Sequence, residues 1–250
     1  MHTLDKKRIV IVGGAGRLGQ IFVNELLRTN TVIVIDICNK EAWRKLNIDS
    51  HGFIETDIND PITLTNSISE IKRKYGQIDC VINTSYPRNK DFGKSVLDVS
   101  LESFNQNINL HLGGYFHVMQ RFTQLFIEQG YGNIINISSI QGISAPKFSH
   151  YEGTNMDSPI EYTAAKTAII AMTRYLVKFL KDKNIRINCI SPGGILDNQP
   201  ESFLEKYKDS CINKGMLDSQ DILGAIKFLI SEDSRFINGQ NIIVDDGWSL

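Results

Sequence analysis

The sequence predicts an α/β fold: a doubly wound parallel sheet of seven strands in a single domain, residues 1–250. Two patterns predict it. Short β-branched runs alternate with helically spaced apolar stretches along the whole chain, the order that gives parallel strands joined by helical crossovers. The first run, residues 9–12, is unbroken rather than alternating, as in a strand covered on both faces. Length agrees with this, since 250 residues bury a substantial core and α/β folds of that size often stay one domain. No repeat, linker or low-complexity segment interrupts the pattern.

The first strand enters Gly13-Gly14-Ala15-Gly16-Arg17-Leu18-Gly19, a glycine turn with a helix beginning near Arg17. Leu18, Ile21, Phe22, Leu26 and Leu27 form that helix's apolar stripe, which fades at Thr29-Asn30. The second strand spans residues 31–36 and ends in Asp36. A short helix over 40–46 leads to a weak strand over 52–56. Asp57-Ile58-Asn59-Asp60-Pro61 then breaks the chain and caps a helix reaching about Tyr75, with proline where a first turn tolerates it. Residues 77–83 form the fourth strand, stopped by Thr84-Ser85-Tyr86-Pro87. One long helix is expected over 101–129 and the fifth strand over 132–137. A helix over 160–180 precedes a sixth strand over 185–190. A helix over 219–230 and a last strand over 240–244 complete the chain. The loops 86–95, 140–160 and 193–218 are expected to border a substrate.

The glycine turn is the first chemical signal. Gly13, Gly16 and Gly19 recur at three-residue spacing, and residues 14–19 also fit G-x-G-x-x-G. Such glycines let backbone approach a pyrophosphate seated on a helix N-terminus. A turn without a ligand needs glycine too, so the motif alone is weak. Asp36, 23 positions beyond Gly13, adds the strand-end carboxylate that meets an adenosine ribose. A Rossmann-like dinucleotide site is the reading of the two together.

Composition excludes several other classes. The formal net charge is −1, from 27 basic and 28 acidic residues, and no basic face argues for nucleic acid or anionic lipid. Cys38, Cys80, Cys189 and Cys211 are scattered, with no C-x-x-C pair, which suits a reduced cytoplasm and predicts no metal. Residues 1–8 are polar, and the apolar run after them is too short for a signal or a membrane span. A cytoplasmic protein is expected.

Further residues in order are Asp57-Ile58, Asn83, Ser139, Tyr162-x-x-x-Lys166, Pro192-Gly193, Gly239-Gln240 and Asp245-Asp246-Gly247. With the glycine turn and Asp36, this series resembles the short-chain dehydrogenase/reductase family over essentially the whole chain. The resemblance implies NAD binding by Gly13, Gly16, Arg17, Leu18, Gly19, Asp36, Asp57, Ile58 and Asn83, by Tyr162 and Lys166, and by the Ile195 backbone at the carboxamide. It also implies a homotetramer. The run Asn83-Thr84-Ser85-Tyr86-Pro87-Arg88-Asn89 resembles bacterial flagellin-modification oxidoreductases of legionaminic-type sugar pathways, which implies a small, sugar-like substrate.

Interconverting a carbonyl and an alcohol with a nicotinamide needs a proton donor or acceptor beside the hydride path. A tyrosine with an ordinary pKa of about 10 works near neutrality only if its phenolate is stabilised. A lysine four residues later on a helix shares its face and supplies the charge. Two Y-x-x-x-K matches exist. Tyr86…Lys90 contains Pro87 in a loop, so no helix holds that pair together. Tyr162…Lys166 begins a helical pattern, with Ala164, Ala165, Ala168, Ile169 and Met172. Tyr162 is therefore the expected acid/base and Lys166 the group lowering its pKa, with Ser139 orienting the substrate; Ser138 is the alternative serine.

Several residues keep two readings. A turn-capping role is the alternative for Asp36, and Arg17 is either a phosphate contact or a solvated first-turn residue. Val12 replaces the family's usual threonine, losing a local hydrogen bond. Asp197 stands where the pattern places threonine, and an acid there would repel pyrophosphate. The family's asparagine in N-x-x-G-x-F falls on His111, with Gly114 and Phe116 fixing the register. Asn109, about 200° around the helix, cannot substitute without a bulge. His111 is either a spectator or a member of the proton relay, its ordinary pKa near 6.5 suiting shuttling.

Ser139 and Tyr162 lie 23 positions apart, further than in compact members of the family. The extra residues, among them Lys147, His150, Tyr151, Glu152, Asn155, Met156 and Asp157, are read as a polar insertion at the pocket mouth, with His150 and Tyr151 as substrate contacts. Arg88 is a candidate carboxylate or phosphate anchor, or a surface arginine. The longer sugar-nucleotide-modifying branch shares the glycine spacing, but too few residues follow Pro192 for its separate substrate domain. A dinucleotide-binding sensor or assembly subunit without turnover is the rival from another class.

Overall fold

In the computed structural model, which describes residues 6–250, β1 (Arg8–Val12) lies third in the sheet. Residues 1–5 of the polar N-terminal stretch lie outside the described residues. Around β1 stand β2 (Thr31–Asp36), β3 (Gly52–Glu55), β4 (Cys80–Asn83), β5 (Gly132–Ile137), β6 (Ile185–Pro192) and β7 (Asn241–Val244). All pair in parallel in the order β3-β2-β1-β4-β5-β6-β7, which is the seven-stranded sheet expected. The chain winds outward from β1 in one direction and then from β4 in the other. A crevice therefore opens between their carboxyl ends, where ligands of open α/β sheets bind.

Alternate strand residues feed two cores, so continuous β-branched runs are required. Val10, Val12, Ile33, Ile35, Val81 and Ile187 face α3 (Pro61–Tyr75), α5 (Gly114–Gln129) and α6 (Ile160–Phe179), represented by Leu64, Phe122 and Ile169. Ile9, Ile11, Val32, Val34, Ile82 and Ile190 face α1 (Arg17–Leu26), α2 (Lys40–Lys45) and α8 (Leu223–Ile230), represented by Phe22, Trp43 and Leu229. At about 25 cal/mol per Å² of apolar surface, these two cores carry most of the driving force for folding.

Three departures from the expected elements bear on the site. The long helix over 101–129 is not continuous: α4 (Leu101–Ile108) passes through a π-helical turn (Asn109–Gly113) into α5. A Cβ at Gly114 would come within 2.8 Å of Ile58, so the turn can press there only as glycine. Such widened turns frequently sit at functional sites. The loop 193–218 contains a missed helix, α7 (Glu201–Lys208), whose apolar stripe is only Phe203 and Tyr207 and so leaves little periodicity to read. The fourth strand starts late: the Gln129 side chain brackets the Ile78 backbone, and the Asp79 amide donates to the Arg8 carbonyl while its carboxylate takes the Arg8 amide.

All four cysteines are free. Among the described residues no helix is long and apolar enough to cross a membrane, and no cluster of His, Cys, Asp and Glu could hold a metal ion.

Candidate active site

A cavity of about 820 Å³ follows the crevice from Asp36 to Trp248. At one end the glycine turn is packed too tightly for side chains. Gly13 holds φ +79°, and a Cβ there would lie 2.8 Å from the Ser85 amide nitrogen. A Cβ at Gly19 would overlap the Gly13 carbonyl, so α1 can dock on the turn only as glycine. The hydroxyl absent at Val12 is replaced from the neighbouring strand end, because Thr84 Oγ1 donates to the Val12 carbonyl at 2.8 Å and the Gly13 carbonyl at 3.0 Å.

Asp36 is held by backbone, accepting from the Ala15 amide at 2.9 Å and the Cys38 amide at 3.0 Å, with its carboxylate on the cavity wall. Asp57, Ile58, Leu18 and Ile195 line the same wall. Asn83 turns its Oδ1 to Ser85, while its buried Nδ2 has no partner. A cradle that glycine alone permits, an anchored carboxylate and an orphaned donor fit an adenine dinucleotide.

Further in, α6 places Tyr162 and Lys166 one turn apart on the face toward β5. The Ser139 side chain neighbours the Tyr162 phenol and lowers its pKa, and the Gln141 amide donates to Ser139 Oγ at 3.2 Å. Ser138 is engaged elsewhere, donating to the Lys166 carbonyl at 2.8 Å. Lys166 is 4 % exposed, and its ammonium donates to the Ile137 carbonyl at 2.8 Å. Burial pulls its pKa from 10.5 to about 7. Burial also pushes the Tyr162 phenol up, and Ser139 partly offsets that. Lys166 Nζ lies 5.5 Å from the Tyr162 ring centre, and its bond goes to backbone.

The π-helical turn brings His111 into this cluster and leaves Asn109 exposed. His111 is 2 % exposed, its Nε2 has no partner, and its ring centre lies 6.1 Å from that of Tyr162. Burial, and then the nearby Lys166 charge, push its pKa well below 6.5, so it is a neutral imidazole at neutral pH. Below it, Tyr115 donates to the carbonyls of Asn83 and Ile137, tying β4 to β5.

Tyr86 was set aside with its Y-x-x-x-K match, correctly for the pair but not for the residue. Its ring packs edge-on against His111 at 5.1 Å and Tyr162 at 5.5 Å, with Lys166 Nζ 5.8 Å from its centre. Pro87 argued against a helix; it did not argue against a loop tyrosine reaching the site. The Arg88 guanidinium lies over the Tyr86 and Phe92 rings at 5.1 and 5.9 Å and, among the described residues, forms no ion pair.

The insertion 140–160 buries polar and apolar groups alike. His150 is buried, with Nε2 2.9 Å from Ser210 Oγ, and Tyr151 and Met156 pack into an aromatic cluster with Phe203, Tyr207 and Trp248. Lys147 reaches the Trp248 carbonyl at 3.1 Å, and Lys206 on α7 bonds the carbonyls of Ser149 and Glu152. The insertion thus walls a compartment, and His150, Tyr151 and Met156 line the cavity.

A doubly wound sheet whose switch-point crevice joins a glycine turn to a Ser–Tyr–Lys cluster defines a nucleotide-dependent oxidoreductase scaffold. The family described as enoyl-(acyl carrier protein) reductase matches residues 28–249, and the chain belongs to the short-chain dehydrogenase/reductase family. It is 40% identical over 255 residues to post-translational flagellin modification protein A of Campylobacter coli, covering 99% of this chain and 100% of that one. A 7alpha-hydroxysteroid dehydrogenase of Bacteroides fragilis is 28% identical, over 100% of this chain and 97% of its own. A short-chain dehydrogenase from Leptospira borgpetersenii, crystallised with bound NAD+, superposes with a TM-score of 0.86 at 28% identity, over 98% of this chain and 94% of that one.

Proposed function

We propose that this protein is a cytoplasmic NAD-dependent oxidoreductase acting on a hydroxyl or carbonyl carbon of a small, sugar-derived metabolite, in the assembly of a surface glycan such as that added to flagellin. The observation that carries the reaction type is the gathering of Ser139, Tyr162 and buried Lys166 in the cavity that also holds the glycine turn. The substrate class is supported by the flagellin-modification relative and by the unpaired Arg88 at the loop after β4.

Gly13, Gly16, Leu18 and Gly19 would hold the diphosphate, Asp36 the adenosine ribose, Asp57, Ile58 and Asn83 the adenine side, and Ile195 the carboxamide. Bound there, the dinucleotide accepts or donates a hydride at its nicotinamide ring. Ser139 orients the substrate oxygen, and Tyr162 Oη takes up or delivers its proton. Lys166 holds the second ribose and, with its pKa near 7, carries a proton that can be exchanged at neutral pH. The aromatic rings around Tyr162 keep water from the transferring proton.

Titrating the protein with NADH, then following nicotinamide absorbance over a panel of oxo- and hydroxy-sugars, tests the reading. NADH binding with no turnover on any member would favour the sensor role instead. NADH should bind at least about tenfold more tightly than NADPH, since a 2′-phosphate beside Asp36 costs on the order of 1–2 kcal/mol. Equal affinities would refute Asp36 as the ribose ligand.

His111 faces Tyr162 with an unpartnered nitrogen and is proposed to share in the relay. His111→Asn should lower turnover about tenfold and move the acidic limb of the pH–rate profile, because a group charging below its ordinary pKa is removed. An unchanged rate and profile would make it a spectator.

Assembly as a homotetramer is supported by exposed apolar residues on the long helices, among them Phe116, Ile127, Tyr175 and Phe179, and at the last strand by Ile243 and Leu250. Light scattering at micromolar concentration should give four chains, and a monomeric mass would refute it.

A further inference from the structure

Arg17 and Asp197, the second standing where the family pattern places threonine, meet in space. Arg17 opens α1 directly after Gly16, and its guanidinium donates to the Leu196 carbonyl and to the Asp197 carboxylate. Both side chains are about half exposed, and both line the cavity with Gly13, Leu18 and Ile195. The pair therefore spans the cleft from the glycine turn to the segment after β6. Asp197 is presented on a fixed turn. Gln199 accepts from the Asp197 amide at 2.6 Å and donates to the Ile195 carbonyl at 3.0 Å, while the Leu196 amide bonds the Leu217 carbonyl at 2.9 Å. Asn198 completes the turn at φ +57°.

We propose that Arg17 reads the diphosphate of the dinucleotide and that Asp197 is its counter-ion in the free protein, surrendered when the diphosphate arrives. The proposal rests on the dinucleotide reading of this cavity. A diphosphate seated at the α1 N-terminus lies beside Arg17 and also beside Asp197. Its two negative charges repel the carboxylate and compete with it for one planar guanidinium, which matches carboxylate and phosphate equally well in geometry. Paired, Arg17 and Asp197 present no net charge to the ligand; unpaired, Arg17 presents a full positive one. Asp197 thus weakens cofactor binding by the strength of one exposed ion pair. The arginine thereby neutralises an acid that would otherwise repel the ligand.

The test is fluorescence or calorimetric titration of the intact protein with NADH, ADP-ribose and adenosine. An exposed pair of this kind is worth up to about fivefold in affinity, so Asp197→Asn should tighten NADH and ADP-ribose about two- to fivefold. Arg17→Gln removes a charge-assisted contact and leaves a bare acid beside the diphosphate, and should weaken both about tenfold or more. Adenosine, which lacks the diphosphate, should bind all three proteins alike. Asp197→Asn binding NADH unchanged or more weakly would overturn the proposal, as would Arg17→Gln without effect or an equal change for adenosine. Wild-type protein binding neither NADH nor ADP-ribose would instead overturn the dinucleotide reading itself. Circular dichroism of each variant confirms that the fold is kept.

Discussion

Tyr162→Phe is expected to lower turnover by about 10²–10⁴-fold, the range contributed by a positioned proton donor, while changing NADH affinity by less than about twofold. The substitution deletes one oxygen, beside Ser139, and leaves the ring against Tyr86 and His111. Packing is retained and the proton is lost, so the loss should fall on kcat. Steady-state kinetics on a substrate identified from the panel, with an NADH titration beside it, separates the two. Retention of most of the activity would mean that another group supplies the proton.

Lys166→Met should move activity and stability in opposite directions. Turnover and NADH affinity should both fall, since the ribose contact and the exchangeable proton go together. Stability at neutral pH should rise. In the native protein Lys166 titrates near 7 rather than 10.5, because charging it without solvent is costly. Below pH 7 both folded and unfolded forms carry the charge, and the native state bears the full burial penalty. Between about 7 and 10.5 the folded form is neutral while the unfolded form still binds a proton, so native stability climbs and the penalty fades. Methionine removes the penalty at every pH. The Ile137 carbonyl it leaves behind still accepts from Tyr115 at 2.9 Å. The Tm gain should be largest near pH 7 and below, at about 2–4 °C for each kcal/mol, and should shrink as pH approaches 10.5. A melting temperature no higher than wild type, or a gain independent of pH, would show that the charged ammonium is solvated in the native state. Stability given up at a functional position is the trade expected of an active-site residue.

Much of the molecule was legible from local pattern. The order of strands and helices, the glycine turn and Asp36 follow from residues near one another in sequence, where backbone freedom, β-branching and spacing act directly. Tyr162 and Lys166 were legible for the same reason, being one helical turn apart on a single face. Tyr86 was not, because what places it against Tyr162 is the course of a loop rather than any period. Phe203 and Tyr207 were missed because two apolar residues on a short helix make no stripe. The packing of the insertion was not legible, because Tyr151 and Met156 meet Phe203, Tyr207 and Trp248 from distant parts of the chain.

By itself, the sequence determined the doubly wound sheet, the crevice at its switch point and the chemical types gathered around it. These depend on short-range sterics and on which residues must leave water. Only the tertiary structure decided that His111 enters the site through a widened turn, that Lys166 bonds backbone rather than Tyr162, and that Arg17 and Asp197 neutralise each other across the cleft. The physical reason is common to all three. Burial and charge pairing act between groups 29 to 180 positions apart, and they set protonation and partner through distances that no local spacing encodes.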